Sequence, residues 1–166
     1  MGRASIELIG GHLDGAEIAE ELDRLYCYEH VVAHWCRGVE NRLIGFASVV
    51  LGEELRRVAA EAISAGERLA ARIAQLGGAT TADPTEFLER AELEKLWLPR
   101  DYSSVEEILS VAIGYERAAI TDYHNLLSGL RDLDVITHLL LAEILAAKLA
   151  REDELESVLS QASVAG

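Results

Sequence analysis

The sequence has little that would break a helix. Its 166 residues include only two prolines, Pro84 and Pro99, so residues 1–83 and 100–166 carry none. Aromatic residues make up 5% of the chain. A β-sandwich of this size would carry more aromatic and β-branched side chains and more turn residues. Cysteine is confined to Cys27 and Cys36. Nine positions apart on one helix, they would face opposite sides, roughly 13 Å apart along the axis. They cannot bridge each other, which argues against a disulfide scaffold and for a reducing, cytoplasmic setting. No apolar stretch approaches the ~18 residues of a membrane span. No secretory leader is expected, because Met1-Gly2-Arg3-Ala4 starts no apolar run. Basic residues are also scarce, 15 against 29 acidic ones, for a formal net charge of -14. Nucleic acid and anionic membranes need a basic footprint, so neither is expected as a partner. The acid excess is either a solubility feature or a field that gathers cations.

What is present is helix-forming. Half of the residues are hydrophobic, and alanine, leucine, glutamate and arginine dominate. The length fits a single domain over residues 1–166. A first long helix is predicted from Asp14, with Glu17 completing a capping box, to about Leu43, with Gly45 as its stop. A second runs from about Ser48 to Leu76 and ends at Gly77-Gly78. Asp83-Pro84-Thr85-Glu86 opens a short helix, with a capping Asp and Pro in the first turn. Ser103 or Ser104 opens a third long helix that stops near Gly129, and Asp134 caps a fourth that runs to about Gln161. Short connections make two antiparallel hairpins. The longer segment between helices two and three, holding the short helix, carries the chain back along the bundle. An all-α four-helix bundle with one long crossover is the expected fold.

A walk at alternating spacings of four and three traces each helix's apolar seam. On helix one it gives Ile18, Leu22, Leu25, Glu29, Val32, Cys36, Val39 and Leu43, and on helix three Val105, Leu109, Ala112, Glu116, Ala119, Tyr123 and Leu126. On helix four Lys148 falls on the seam, with Arg151 beside it. Helix two contributes the small residues Ala62 and Ala65 at mid-length. Buried carboxylates must be paired or bound to metal. Two readings follow: a metal or catalytic centre, or an ionic network in which Glu29 and Glu116 face Lys148 and Arg151, neutral without metal.

The same residues resemble the ferritin superfamily. Its pattern is echoed by Glu29, by Arg72–Gly78 at the end of helix two, by Ile113-Gly114-Tyr115-Glu116-Arg117, and by the stretch from Glu152 to Glu156. The likeness is strongest to the Dps-like mini-ferritins of the bacterioferritin branch and covers about residues 14–160. It implies a ferritin-like bundle that assembles as a dimer or a larger cage such as a dodecamer. In that family two irons lie between the helices, held by single glutamates from two helices and a Glu-x-x-His pair from each of the others. Carried over, the single glutamates are Glu29 and Glu116. The pair of helix two falls on Ala62 and Ala65, and that of helix four on Lys148 and Arg151. The resemblance therefore implies a dismantled ferroxidase site in which a Glu/Lys/Arg salt-bridge cluster replaces the metals. Relatives' cysteines near this site are absent, with Ala118 at one such position, and the methionine that binds haem in bacterioferritins falls on Ile63. No bacterioferritin-type haem is expected.

His30 and His34 lie one turn apart and are read as surface or interface histidines. The alternative is a metal site shared between subunits, completed by Glu54, Glu61 or Glu67 of a partner. His12, His124 and His138 are given ordinary roles, and Tyr26, Tyr28, Tyr115 and Tyr123, with Trp35 and Trp97, are read as packing. The acidic run from Glu17 to Asp23 reads as a solvated helix face. No phosphate loop, Ser-His-Asp set or Cys-x-x-Cys pair is present. The functional expectation is an iron-storage or sequestration cage subunit without its own oxidation chemistry. Iron would gather on acidic cage surfaces, alone or beside an active paralogue. A remodelled oxidoreductase, metal-free or with a single metal, and a helical scaffold protein are the competing readings.

Overall fold

The computed structural model describes residues 15–130 and 134–165, with side chains to residue 162. Its elements are α1 (Gly15–Glu40), α2 (Phe46–Gln75), a 3-10 turn (Pro84–Glu86), α3 (Phe87–Arg90), α4 (Val105–Leu130) and α5 (Val135–Ala165). No strand occurs among the described residues. The fold is the expected all-α bundle with one long crossover, with α1, α2, α4 and α5 as its long helices. The pairs α1–α2 and α4–α5 make the extensive contacts, and fewer join one hairpin to the other. The proposed Asp14 cap, Met1–Ala4 and His12 lie outside the described residues.

Local chemistry sets the boundaries. Gly77, at φ 81°, closes α2 in a Schellman turn: Gly78 N–H donates to Ile73 O at 3.0 Å and Gly77 N–H to Ala74 O at 3.0 Å. Ser104 Oγ accepts from Glu107 N, and Asp83 Oδ1 from Thr85 N, as the capping patterns predict. Gly45 departs from expectation. The first helix stops earlier, at Glu40, and Gly45, at φ 60°, precedes the first residue of α2. Its left-handed backbone starts the next helix instead of ending the last one.

Asp134 caps α5 by accepting from Ile136 N and Thr137 N, both at 3.1 Å, and it also pairs with Arg72 Nη2 of α2 at 2.7 Å. Burial opposes ionisation of this carboxyl, but hydrogen bonds from Thr137 and Arg72 prevail and lower its pKa to about 2. Its contribution to stability is therefore present above the usual aspartate value and is lost as pH falls toward 2. Asp134→Ala is expected to cost about 1–2 kcal/mol of stability. Urea unfolding measures this, and the difference from the parent should disappear in strong acid.

The crossover from 76 to 104 is fastened at intervals along the bundle. Asp23 of α1, 7% exposed, accepts from both the backbone N and the Oγ1 of Thr81 at 2.7 Å. Trp35 Nε1 donates to Trp97 O at 2.5 Å, Trp97 N to Tyr115 Oη at 2.9 Å, and Ile44 N to Tyr102 O at 3.2 Å. A Cβ at Gly78 would meet that of Ala19 at 2.8 Å, so only glycine allows this close approach. Asp23 corrects the reading of the acidic run as solvated: Glu17 and Glu20 are exposed, whereas Asp23 turns inward to anchor the crossover.

Candidate functional site

Helix periodicity brings Glu29, Glu116 and Lys148 to one point in the bundle. Glu29 sits on the inward seam of α1 and is 0% exposed; Glu116, on α4, is 3% exposed, and Lys148, on α5, 7%. Lys148 Nζ lies 2.9 Å from Glu29 Oε1 and 3.0 Å from Oε2. Its distance to Glu116 Oε2 is 3.6 Å, an ion-pair contact too long for a hydrogen bond. Tyr123 Oη donates to Glu29 Oε1 at 2.8 Å. Glu29 is thus fully partnered, whereas Glu116 Oε2 is buried without a hydrogen-bonding group of the protein.

The electrostatics follow from this asymmetry. Burial would lower the pKa of Lys148, but Glu29, and then Glu116, outweigh it and hold the ammonium charged. Burial pushes the Glu116 pKa up, with Lys148 opposing and Glu29 adding repulsion. Tyr123 is raised by burial and by its neighbour Glu29, so its phenol keeps its proton. Cys36 is also raised, by burial and then Glu116, and is no thiolate nucleophile. Cys27 and Cys36 are both buried and free.

Arg151 does not join Glu29 and Glu116 as the four-charge network had it. Its guanidinium turns to the flank of α2 and grips both carboxylate oxygens of Glu61, with Nε 3.0 Å from Oε2. It also binds Glu154 on its own helix and lies 3.6 Å from Glu54 Oε2. Arg57 pairs with Glu54 and reaches Glu154 at 3.9 Å. The long arginine stem lets the charged fork leave the seam while Arg151 stays 5% exposed. The centre is therefore two adjoining clusters: Lys148 with Glu29 and Glu116, and Arg151 and Arg57 with Glu54, Glu61 and Glu154. Glu54 and Glu61, expected from the sequence only as donors from a partner subunit, are held here by Arg151 of the same chain. Their spacing of three and four residues around Arg57 was the available signal.

Between the clusters lies a cavity of about 130 Å³. Ala62 and Ala65 line it with Val58, Ile144 and Ala147, and its polar wall includes Glu61, Ser64, Glu116 and Lys148. The two short side chains of α2 leave space where longer ones would reach the centre.

The structure does not bring the paired histidines into such a site. His30 packs against Tyr26, with ring centroids 4.4 Å apart, and against Phe87 at 5.4 Å, and burial lowers its pKa. His34 is exposed. Tyr28 donates to Tyr115 O at 2.7 Å and Trp35 is 1% exposed, as packing roles require, whereas Trp97 is 55% exposed. Among the described residues, no group of three or more His, Cys, Asp or Glu side chains is placed to hold a metal ion. The donor set at the centre does not fit a di-iron cofactor. Lys148 bonds both oxygens of Glu29, and Ala62 and Ala65 offer no donor atom. No helix among the described residues is long and apolar enough to cross a membrane.

The ferritin-like domain model matches residues 17–164. A dodecameric thioferritin, the bacterioferritin-related protein of Bacteroides fragilis, superposes with a TM-score of 0.83 at 22% identity, covering 98% of this chain and 95% of that one. Dps from Mycobacterium smegmatis, in a tetragonal form, gives 0.79 at 18% identity over 90% and 91%. Dps from Thermosynechococcus elongatus gives 0.78 at 18% identity over 86% and 90%. No curated protein matches the sequence.

Proposed function

Because this chain belongs to the ferritin-like family, we propose that it is a cage-forming subunit for iron storage or sequestration whose bundle centre has given up ferroxidase chemistry. One observation carries this reading: the Lys148 ammonium is bonded to both oxygens of Glu29 and stands 3.6 Å from Glu116. A fixed cation there supplies positive charge of the kind a metal would bring, and it consumes the lone pairs a metal would need. On this reading Glu29 and Glu116 are retained di-iron positions, and Ala62, Ala65, Lys148 and Arg151 are replaced ones.

The net charge of -14 supports a role for the surface. Repeated in each subunit of a closed shell, it sets up a field that concentrates ferrous ion as cargo. The thioferritin is a dodecamer, which favours a homo-oligomeric cage here. Co-assembly with an active paralogue would supply the missing oxidation step. The whole chain acts as one domain of a cytoplasmic protein.

The test pairs assembly mass with metal content and ferrous oxidation. The parent should run as a multi-subunit particle and oxidise ferrous ion no faster than buffer. The combined A62E, A65H, K148E and R151H variant should gain bound iron and measurable oxidation. Iron held at Glu29 and Glu116 in the parent, or a lone monomer or dimer as the only species, overturns the proposal.

A further inference from the structure

A second pocket lies between α4 and the crossover, beside the exposed Trp97. Its volume is about 320 Å³, and it shares no wall residue with the cavity at the bundle centre. Small-molecule sites begin at about this size. Aromatic residues are 5% of the chain, yet three of them, Tyr28, Tyr115 and Trp97, stand in this one wall beside Leu93 and Val111. Gly114, on the same side of α4 as Tyr115, leaves the floor open: a Cβ there would meet nothing within 4 Å.

The polar groups of the wall restrict what can enter. None of its side chains is charged, so an ion buried here would have no partner, at a large cost. Lys95 Nζ lies 4.0 Å from the centre of the Trp97 ring but does not line the pocket. The groups left over are donors. Tyr115 Oη accepts from Trp97 N at 2.9 Å, while its own proton is bonded to no acceptor among the described residues. Burial raises the Tyr115 pKa, so that proton is kept. The Trp97 Nε1–H is also without an acceptor among the described residues. Tyr28, in contrast, has spent its proton on Tyr115 O at 2.7 Å.

We propose that this pocket binds an uncharged planar aromatic molecule carrying an acceptor oxygen, of the aryl ketone or aryl lactone class. Its ring would lie among those of Tyr28, Tyr115 and Trp97, and its oxygen would accept from Tyr115 Oη. Rigid rings suit such a wall because they lose little conformational entropy on binding. A ligand of about ten non-hydrogen atoms binds with a Kd on the order of 1 mM. The inference stands apart from the metal-free reading of the bundle centre.

Coumarin is the probe, with saturation transfer from the assembled full-length protein to its ring protons as the readout. Transfer is expected for the parent and should exceed that to indane, a bicyclic hydrocarbon with no acceptor. Gly114→Leu fills the pocket and improves helix propensity, so the fold should persist while transfer to both probes is lost. Tyr115→Phe keeps the ring and removes the hydroxyl, and should lower the coumarin-to-indane ratio about fivefold. No transfer in the parent, coumarin no better than indane, transfer that survives Gly114→Leu, or an unchanged ratio in Tyr115→Phe overturns the proposal.

Discussion

Lys148→Met is expected to destabilise the protein by about 3–5 kcal/mol, the cost of breaking a buried ion pair from one side. The methionine fills the volume, so the loss is electrostatic: Glu29, 0% exposed, would keep only the Tyr123 hydroxyl, and Glu116 would have no nearby cation within 4 Å. The matching control replaces all three charges, with Glu29→Gln and Glu116→Gln added to Lys148→Met. That neutral centre should recover most of the loss, because a buried ion pair is often no more stable than an uncharged substitute. Urea midpoints separate the two outcomes. If the single variant is as stable as the parent, the ammonium does not hold the centre together. The pH dependence has a definite sign. Burial, the dominant influence, already raises the Glu116 pKa above its usual 4.5, and Lys148 is the main charge that opposes the rise. A carboxyl whose folded value is raised contributes stability that is complete below the unfolded value and is lost as pH climbs through the folded one. Without Lys148 that window extends further upward, so the single variant should lose more stability between mildly acid and neutral pH than the parent. Adding Glu116→Gln should flatten its profile.

Trp35→Ala should cost a comparable amount, about 3–5 kcal/mol, for a different physical reason. Trp35 is the largest fully buried side chain, and its ring packs 5.4 Å from that of Tyr115. Its Nε1 also ties α1 to the crossover through Trp97 O. Removing the ring opens a large cavity and cuts this tie. Trp35→Phe keeps most of the apolar area and loses the hydrogen bond, so its penalty should be nearer 1–2 kcal/mol, the sum of a lost bond and a small cavity. In either variant Trp97 is the sole tryptophan. In the alanine variant its emission should shift to longer wavelength as the crossover loosens, and limited proteolysis should cut first between residues 88 and 101. Resistance equal to the parent's would mean that Tyr115 alone holds this segment.

Burial obeys the helical period, so the apolar seams are legible in the sequence. Glu29, Glu116 and Lys148 fall on apolar seams and are buried at one centre. The ends of helices with recognisable caps, at Asp83, Ser104 and Asp134, were legible for a similar local reason. Periodicity gives the face on which a residue starts but not where a long side chain ends. Arg151 shows the difference: it lies beside the seam, yet its guanidinium crosses to Glu61 on α2. Asp23 was hidden by its acidic neighbours, and its partner Thr81 lies in a segment with no period to read. Gly45 carried the right backbone signal for the wrong boundary, since a left-handed glycine can precede one helix as well as follow another. The cavity beside Ala62 and Ala65 depends on three helices at once and has no signature on any one of them.

The division of the bundle into two closely packed hairpins also bears on how it forms. Within each hairpin the contacting residues are near neighbours along the chain, so little loop entropy is lost in bringing them together. The Lys148–Glu29 bond joins residues 119 apart and closes only when the hairpins meet. The charged centre is thus a selective gate on docking. Hairpins that meet out of register would strand carboxylates in an apolar interior, which disfavours those alignments relative to the native one.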